Sequence, residues 1–302
     1  MQNDNIHGDS LSAESALSPE AVIPLEAQQF LDRLAAVAEP YGRIAVALSG
    51  GVDSSVLVAA LARILRPENV LAVTVEAPMT TTEDAHDARI ATLQSGVRHK
   101  VISIGAAILE EPCFRENPED RCYHCKKLIF SQIINAAHEA GFFHIADGTN
   151  IGDLGEYRPG LKALREFGVI SPFAEAGMSK KEIRVLASAI CPHVSEKPSM
   201  ACLATRIPHG TPVTLEDLRR IGTSERDLRD AGFSQVRVRV HGDLARVEID
   251  RERLREGLPG NMLEHIASIL RACGFKYGTL DLDGYRTGSV SRLAQDEANG
   301  HG

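Results

Sequence analysis

Ile44-Ala45-Val46-Ala47-Leu48-Ser49-Gly50-Gly51-Val52-Asp53-Ser54-Ser55-Val56-Leu57-Val58-Ala59-Ala60-Leu61-Ala62 reads as a strand, a glycine-rich turn and a helix. Ile44–Leu48 is a continuous apolar run of strand length. Val56–Ala62 is apolar and rich in helix formers. The turn Ser49–Ser55 therefore opens onto a helix N-terminus, where backbone N–H groups are unpaired and the helix dipole favours anions. Gly50 and Gly51 let the backbone come close to a phosphate. Ser49, Ser54 and Ser55 offer hydroxyls, and Asp53 offers a carboxylate for Mg²⁺. The G-x-x-x-x-G-K-S/T loop is excluded, because it needs a lysine and none lies between Arg43 and Arg63.

Outward from this turn, apolar runs and helical patterns alternate. Leu25–Val37 reads as a helix, Val70–Val75 as a strand, Glu83–Gln94 as a helix and Lys100–Ile104 as a strand. Cys122–Ala140 reads as a long helix closed by Gly141, and Phe143–Ala146 as a strand. Such alternation predicts an α/β fold, a doubly wound parallel sheet with helices on both faces. Ligands then gather at the C-terminal ends of the strands. Those ends carry Ser49–Ser55, Glu76–Thr82 and Asp147–Asp153.

The motif Ser49-Gly50-Gly51-Val52-Asp53-Ser54 resembles the PP-loop of the N-type ATP pyrophosphatases. The resemblance implies cleavage of ATP between its α and β phosphates, adenylation of a substrate oxygen, and retention of pyrophosphate in the loop. Gly148-Thr149-Asn150 and Asp153 resemble the second nucleotide loop of PP-loop synthetases, with Asp153 assisting Mg²⁺ or the substrate. Glu76, at a strand end of the same sheet, joins the ATP-site candidates.

The texture changes after Ser195. Pro198, Pro208 and Pro212 crowd together, and beyond them Thr214–Ala231 reads as a helix. Val236–Val240 alternates strictly, turns at His241-Gly242-Asp243 and returns as Leu244–Asp250, a hairpin. Leu263–Cys273 reads as a helix and Tyr277–Leu282 as a strand. The expected division is a disordered segment over 1–18, a PP-loop domain over 19–197, a smaller α+β domain over 198–293 and a disordered tail over 294–302.

The chain has 302 residues, 43% hydrophobic and 25% charged, with a net charge of −8. These are globular values. An acidic chain argues against a large nucleic-acid footprint. No apolar run approaches a membrane span. Asp4, Asp9, Glu14, Glu20, Glu26 and Asp32 occupy a start that lacks Lys and Arg, so neither a secretory nor a transit segment is expected. A cytoplasmic protein with no membrane or nucleic-acid partner follows, and a homo-oligomer is expected.

Six cysteines in such a chain read as metal ligands or catalytic thiols rather than disulfides. Cys122 and Cys125 open a helix three residues apart and share one face. Arg121, Lys126 and the helix N-terminus favour their thiolates. The pair is compatible with redox chemistry, zinc or an iron–sulfur cluster. Cys202 lies in a polar, proline-bounded segment with Arg206 one turn later, whereas Cys113, Cys191 and Cys273 read as structural.

The PP-loop together with Pro198-Ser199-Met200-Ala201-Cys202-Leu203-Ala204-Thr205-Arg206-Ile207-Pro208 resembles the LarE family of ATP-dependent sulfur transferases, over about residues 20–285. Gly232-Phe233, Val236-Arg237-Val238-Arg239 and His241–Glu248 also fit that family. Members follow two chemistries. In one, a single cysteine at the Cys202 position gives up its sulfur and becomes dehydroalanine. In the other, that cysteine and a CxxC pair hold a 4Fe-4S cluster whose open iron carries a sulfide for transfer. Cys122, Cys125 and Cys202 are all present, which implies the cluster type. The resemblance further implies a pyridinium mononucleotide substrate, a sulfide or other sulfur donor, and ATP with Mg²⁺. Arg237 and Arg239 alternate on one hairpin face with Arg246 and Glu248, either as a solvated face or, with Arg206, as an anion site for the substrate phosphate. Glu225 enters as a nearby carboxylate on the resemblance alone. The competing expectations are a PP-loop tRNA thiolase with a three-cysteine cluster and a nucleotide-binding protein with structural zinc.

Overall fold

The computed structural model describes residues 23–155, 159–198 and 201–285. Its elements run α1 (Leu25–Ala38), β1 (Ile44–Ala47), α2 (Val52–Leu65), β2 (Val70–Glu76), α3 (Thr82–Ser95), β3 (Arg98–Ser103), α4 (Pro112–Arg115), α5 (Arg121–Glu139) and β4 (His144–Ala146). Then come α6 (Ile151–Leu154), α7 (Pro159–Glu166), α8 (Pro172–Glu175), α9 (Lys180–Ile190) and α10 (Leu215–Asp230). The chain continues with β5 (Val236–His241), β6 (Leu244–Ile249), α11 (Arg251–Glu256), α12 (Met262–Ala272) and β7 (Tyr277–Leu280). The segments expected to be disordered, 1–18 and 294–302, lie outside the described residues.

The first sheet has the order β3-β2-β1-β4 and is parallel throughout. Buried strands of this kind read as continuous apolar runs, and Ile44, Ala45 and Val46 are wholly buried. Helices cover both faces. One core gathers α1, α2 and α9 residues such as Leu34, Val56, Leu61, Ile183 and Leu186. The opposite core gathers Phe130, Ile133 and Ala137 of α5 with Phe142 and Leu164. The strand order reverses at β1, so the crevice between the ends of β1 and β4 is where ligands settle in such sheets. Ser49–Ser55 and Asp147–Asp153 sit at those two ends.

The second sheet, β5-β6-β7, pairs the expected hairpin antiparallel and adds β7 parallel to β6. Its core combines Leu218, Ile221, Val238, Val247, Ile266 and Phe275 with Met79, Ile108, Leu109 and Phe114 from earlier in the chain. Packing thus crosses the expected division at 197/198. The stretch following Cys202 is stitched onto that earlier chain. Leu203 N–H donates to Met79 O (3.2 Å), Gly210 N–H to Asn117 O (2.9 Å) and Val213 N–H to Phe114 O (2.9 Å).

The hairpin differs from expectation in one respect. Arg237 pairs with Glu248 and Arg239 with Arg246, so these four do share a face. Three of the four are not solvated, Arg237 being 3% exposed, Arg239 9% and Glu248 1%, while Arg246 is partly exposed. Alternation gives the facing of side chains, and the elements laid over each face decide what is exposed.

Candidate functional site

The glycine-rich turn leaves the N-terminus of α2 without a side-chain cap, Gly51 standing at the cap position with extended backbone. The N–H of Ser49 donates to Ser54 Oγ (3.1 Å), and Ser54 Oγ donates to Gly51 O (3.2 Å). The two glycines do different work. Gly50 has φ +75°, and a Cβ there would stand 1.9 Å from Asp84 O, so its bareness serves packing against α3. A Cβ on Gly51 would meet only Ser49 Oγ, at 3.4 Å, which leaves that side open to a ligand.

Asp53 pairs with Lys180 at the start of α9. Its Oδ1 is buried without a hydrogen-bond partner. Burial raises its carboxyl above the ordinary value and Asp153 adds to this, while Lys180 and Arg184 oppose it. A half-satisfied carboxylate beside a second carboxylate fits a divalent cation, which would complete Oδ1. The hydroxyl of Ser55 is likewise buried and unpartnered. Glu76 ends β2 half-buried at the same edge, and its carbonyl accepts from Ile104 N–H (2.7 Å).

The second loop closes on the first. A Cβ on Gly148 would lie 2.8 Å from Ser54 N, so glycine is required for the two loops to touch. Much of the loop's polarity is spent on its own shape. Asp147 accepts from Thr149 Oγ1 and from Ser171 Oγ (2.7 Å). Asn150 accepts from Gly152 N–H (2.9 Å) and Asp153 from Asn150 N–H (3.0 Å), a capping box on α6.

Two lysines reach the nucleotide turn from far along the chain, and neither stands out in the sequence. Lys180 follows Ser179, whose capping box with Glu182 announces a helix start but not its place at the sheet edge. Lys197 donates to Gly50 O (3.0 Å), to Asp84 (2.8 Å) and to Asp87. Burial acts to lower the Lys197 ammonium, but the two carboxylates outweigh it and the net shift is upward. Arg184 holds the carbonyls of Ser195 and Lys197, fixing the same crossing segment.

The cysteines come together from separate parts of the chain. Cys122 is exposed and Cys125 half-buried in the first turns of α5. Burial pushes the Cys125 thiol upward, and the neighbouring Cys202, Cys122 and Cys113 push it further. Burial also raises Cys202, opposed chiefly by the Arg121 guanidinium, with Cys122 again adding. Cys202 is exposed as a residue, although burial is the first cause of its raised thiol. Arg121 is buried and donates to Asn117, whose Nδ2 holds Pro208 O and Thr211 O at 2.8 Å each. Asn117 thus ties the Cys202 segment to the start of α5. Arg121 acts as expected, but burial outweighs it, so Cys125 and Cys202 are shifted toward the thiol and not toward the thiolate. Bound iron would reverse this, because a cation's own charge dominates its ligands. Among the described residues no group of three or more His, Cys, Asp or Glu is placed to hold a metal ion. A four-iron cube is a wider guest, with its thiolates on separate irons. Cys113 belongs to the second core while lying near Cys125, a proximity its spacing does not announce. Cys191 is buried in the first core and Cys273 packs against the second.

The three arginines expected at a substrate phosphate are engaged within the protein. Arg206 is 1% exposed and grips Glu225 with Nε and Nη2 (2.8 and 2.9 Å). Arg239 grips Glu248 and donates to Thr205 O (3.0 Å). Arg237 donates to Val236 O (2.8 Å) and lies over the Tyr285 ring at 5.1 Å. A phosphate at Arg206 or Arg239 would compete with Glu225 or Glu248 for the guanidinium.

Residues 35–123 match the family model described as asparagine synthase, a span from the end of α1 to the first turn of α5. An uncharacterized protein of Synechocystis sp. is 36% identical over 251 residues, covering 83% of this chain and 92% of that protein. An uncharacterized protein of Methanocaldococcus jannaschii is 32% identical over 245 residues, 81% of this chain and 91% of the relative. The pyridinium-3,5-bisthiocarboxylic acid mononucleotide synthase of Lactiplantibacillus plantarum is 31% identical over 258 residues, 85% of this chain and 92% of the synthase. That match runs through both sheets and joins the nucleotide turn to the Cys202 segment in one relative, and on it the chain belongs to the LarE family of PP-loop proteins.

Proposed function

We propose that this protein is an ATP-dependent sulfur transferase acting on a carboxylated pyridinium mononucleotide, in the synthesis of a nickel-pincer nucleotide. The single observation that carries the reading is that Cys202, from beyond the crossing segment, lies near Cys122 and Cys125, its segment tied through Asn117 to the start of α5. That proximity, in a chain built around an ATP turn, supplies both halves of the chemistry. Replacing a carboxylate oxygen by sulfur first requires a leaving group better than oxide. A substrate carboxylate oxygen attacks the α-phosphorus of ATP, the α–β bridge breaks, and pyrophosphate leaves into the turn Ser49–Ser55. The uncapped N-terminus of α2 and Lys180 stabilise the charge developing there. Mg²⁺ held by Asp53, with Asp153 near, would supply charge neutralisation on the phosphates. A sulfur nucleophile then attacks the acyl carbon, the C–O bond to AMP breaks, and a thiocarboxylate remains.

Cys122, Cys125 and Cys202 would hold a 4Fe-4S cluster, and such a cluster would supply an open iron for the transferable sulfide. The protein's own part is to bring those thiols near one another from separate parts of the chain. Anaerobic purification followed by iron, acid-labile sulfide and zinc determination tests the cluster. About four irons per chain, with pyrophosphate released on addition of the pyridinium nucleotide, is the expected result. Zinc without iron or sulfide would favour a nucleotide-binding protein with a structural metal. Pyrophosphate release triggered by thiolation-deficient tRNA, and not by the nucleotide, would favour a tRNA thiolase.

A further inference from the structure

Cys202 stands on a short turn, Leu203–Arg206, whose carbonyls are gripped from behind. Arg206 Nη1 donates to Ala201 O (2.8 Å), Cys202 O (3.2 Å) and Thr205 Oγ1 (2.9 Å). Thr205 Oγ1 in turn donates to Cys202 O (2.8 Å). The other edge of the Arg206 guanidinium is held by both oxygens of Glu225, which is also 1% exposed. Glu225 is itself anchored, since its Oε1 accepts from Val238 N–H of β5 (3.0 Å). Arg239 adds a hold on Thr205 O (3.0 Å), and Leu203 N–H is fixed to Met79 O. One buried ion pair thus joins the rigid second sheet to the two carbonyls nearest the Cys202 sulfur.

We propose that Arg206 and Glu225 are a positioning pair: through the backbone of Ala201 and Cys202 they fix the Cys202 thiol against Cys122 and Cys125. A buried ion pair is a poor way to gain stability, because desolvation offsets most of its attraction and apolar replacements often fold as well. What it supplies is direction. The guanidinium fork is planar and has its N–H groups at fixed angles, so it sets the carbonyls it binds. Arg206 touches no reacting atom in this arrangement and acts through the residue that does. The proposal rests on the reading of Cys202 as a ligand in the sulfur-transfer site, so its test includes a readout independent of sulfur transfer.

That test uses the full chain purified anaerobically, with Arg206→Lys, Glu225→Gln and the double variant Arg206→Met/Glu225→Gln. The double variant removes both members of the pair together, and glutamine at 225 can still accept from Val238 N–H. Alkylation by iodoacetamide is followed cysteine by cysteine by peptide mass spectrometry, beside KM for a carboxylated pyridinium mononucleotide in pyrophosphate release. Loosening the turn is expected to speed Cys202 alkylation by about fivefold or more and to slow sulfur transfer by about a hundredfold. Alkylation of buried Cys191 and the nucleotide KM should stay within about twofold of the parent, because neither depends on the Cys202 turn. Parent-like alkylation of Cys202 in the double variant overturns the proposal. So does a tenfold rise in KM with unchanged alkylation, which would make Arg206 a phosphate ligand. A rise that includes buried Cys191 equally would mean general loosening, and it too overturns the proposal. Faster Cys202 alkylation with undiminished sulfur transfer would support the positioning pair while removing Cys202 from the sulfur-transfer site.

Discussion

Two adjacent glycines in the nucleotide turn separate what packing demands from what a ligand demands. Gly50 has positive φ and its missing Cβ faces the Asp84 carbonyl, so Gly50→Ala must displace α3 or the turn. The expected outcome is a loss of about 2 kcal/mol or more in urea unfolding, with pyrophosphate release lost alongside. Gly51 has ordinary φ (−78°) and open space at its Cβ position. Gly51→Ala should therefore melt like the parent and still lose most pyrophosphate release, because a methyl there faces the phosphate approach. Normal release by that variant would remove the turn from ATP chemistry. Asp53→Asn should keep the fold for a different reason. Burial disfavours its carboxylate in the folded chain, so the amide relieves a cost. Pyrophosphate release should nevertheless fall by about a hundredfold or more, read as kcat at saturating ATP.

At the scale of elements, α9 makes a testable statement about pH. Its Ser179–Glu182 capping box holds Glu182 well below its ordinary value, at about 2, chiefly through the Ser179 hydroxyl and N–H and then through Arg33. A carboxylate whose folded value lies below its unfolded one stabilises the protein above the unfolded value, and that contribution is lost as pH falls. Glu182→Gln should therefore cost about 1–2 kcal/mol near pH 7 in urea unfolding. The gap between variant and parent should narrow as pH drops from about 4.5 toward 2, and a constant gap would refute the assignment. This helix also marks how far sequence goes. Caps, glycine stops and apolar periods are local, so α1, α3, α5, α10 and the hairpin are legible within a residue or two. Lys180 at the mouth of the turn is not legible, because its partner Asp53 is 127 positions away. Arg237 and Arg239 show the same limit in reverse. Their shared face follows from alternation, but its burial depends on Thr205, Glu225 and Tyr285, which no local pattern places there.

At the scale of the molecule, the decisive fact is that the second core takes in Met79, Ile108, Leu109 and Phe114. A sequence reading divides the chain at the proline-rich crossing, whereas the second core takes in the connections that follow β2 and β3. That packing is why Cys202 lies beside α5, and why Lys197 on the crossing segment grips the nucleotide turn. It makes the cysteines separable by mutation. Cys122→Ala, Cys125→Ala and Cys202→Ala should each lower bound iron several-fold and abolish sulfur transfer, because three thiolates are the fewest that hold a four-iron cube with one iron open. Pyrophosphate release should survive in all three, since Ser49–Ser55 belongs to the other sheet. Cys191→Ala and Cys273→Ala, whose side chains pack in or against the cores, should keep their iron and pay only in stability, by about 1 kcal/mol at the buried Cys191. Cys113→Ala is the informative case, because Cys113 sits in the second core yet near Cys125. Retained iron and retained transfer in that variant are the expected result and leave one iron open. Loss of iron would make Cys113 a fourth ligand, close that iron, and move sulfur delivery back to the Cys202 thiol itself, which mass spectrometry would then register as dehydroalanine at position 202.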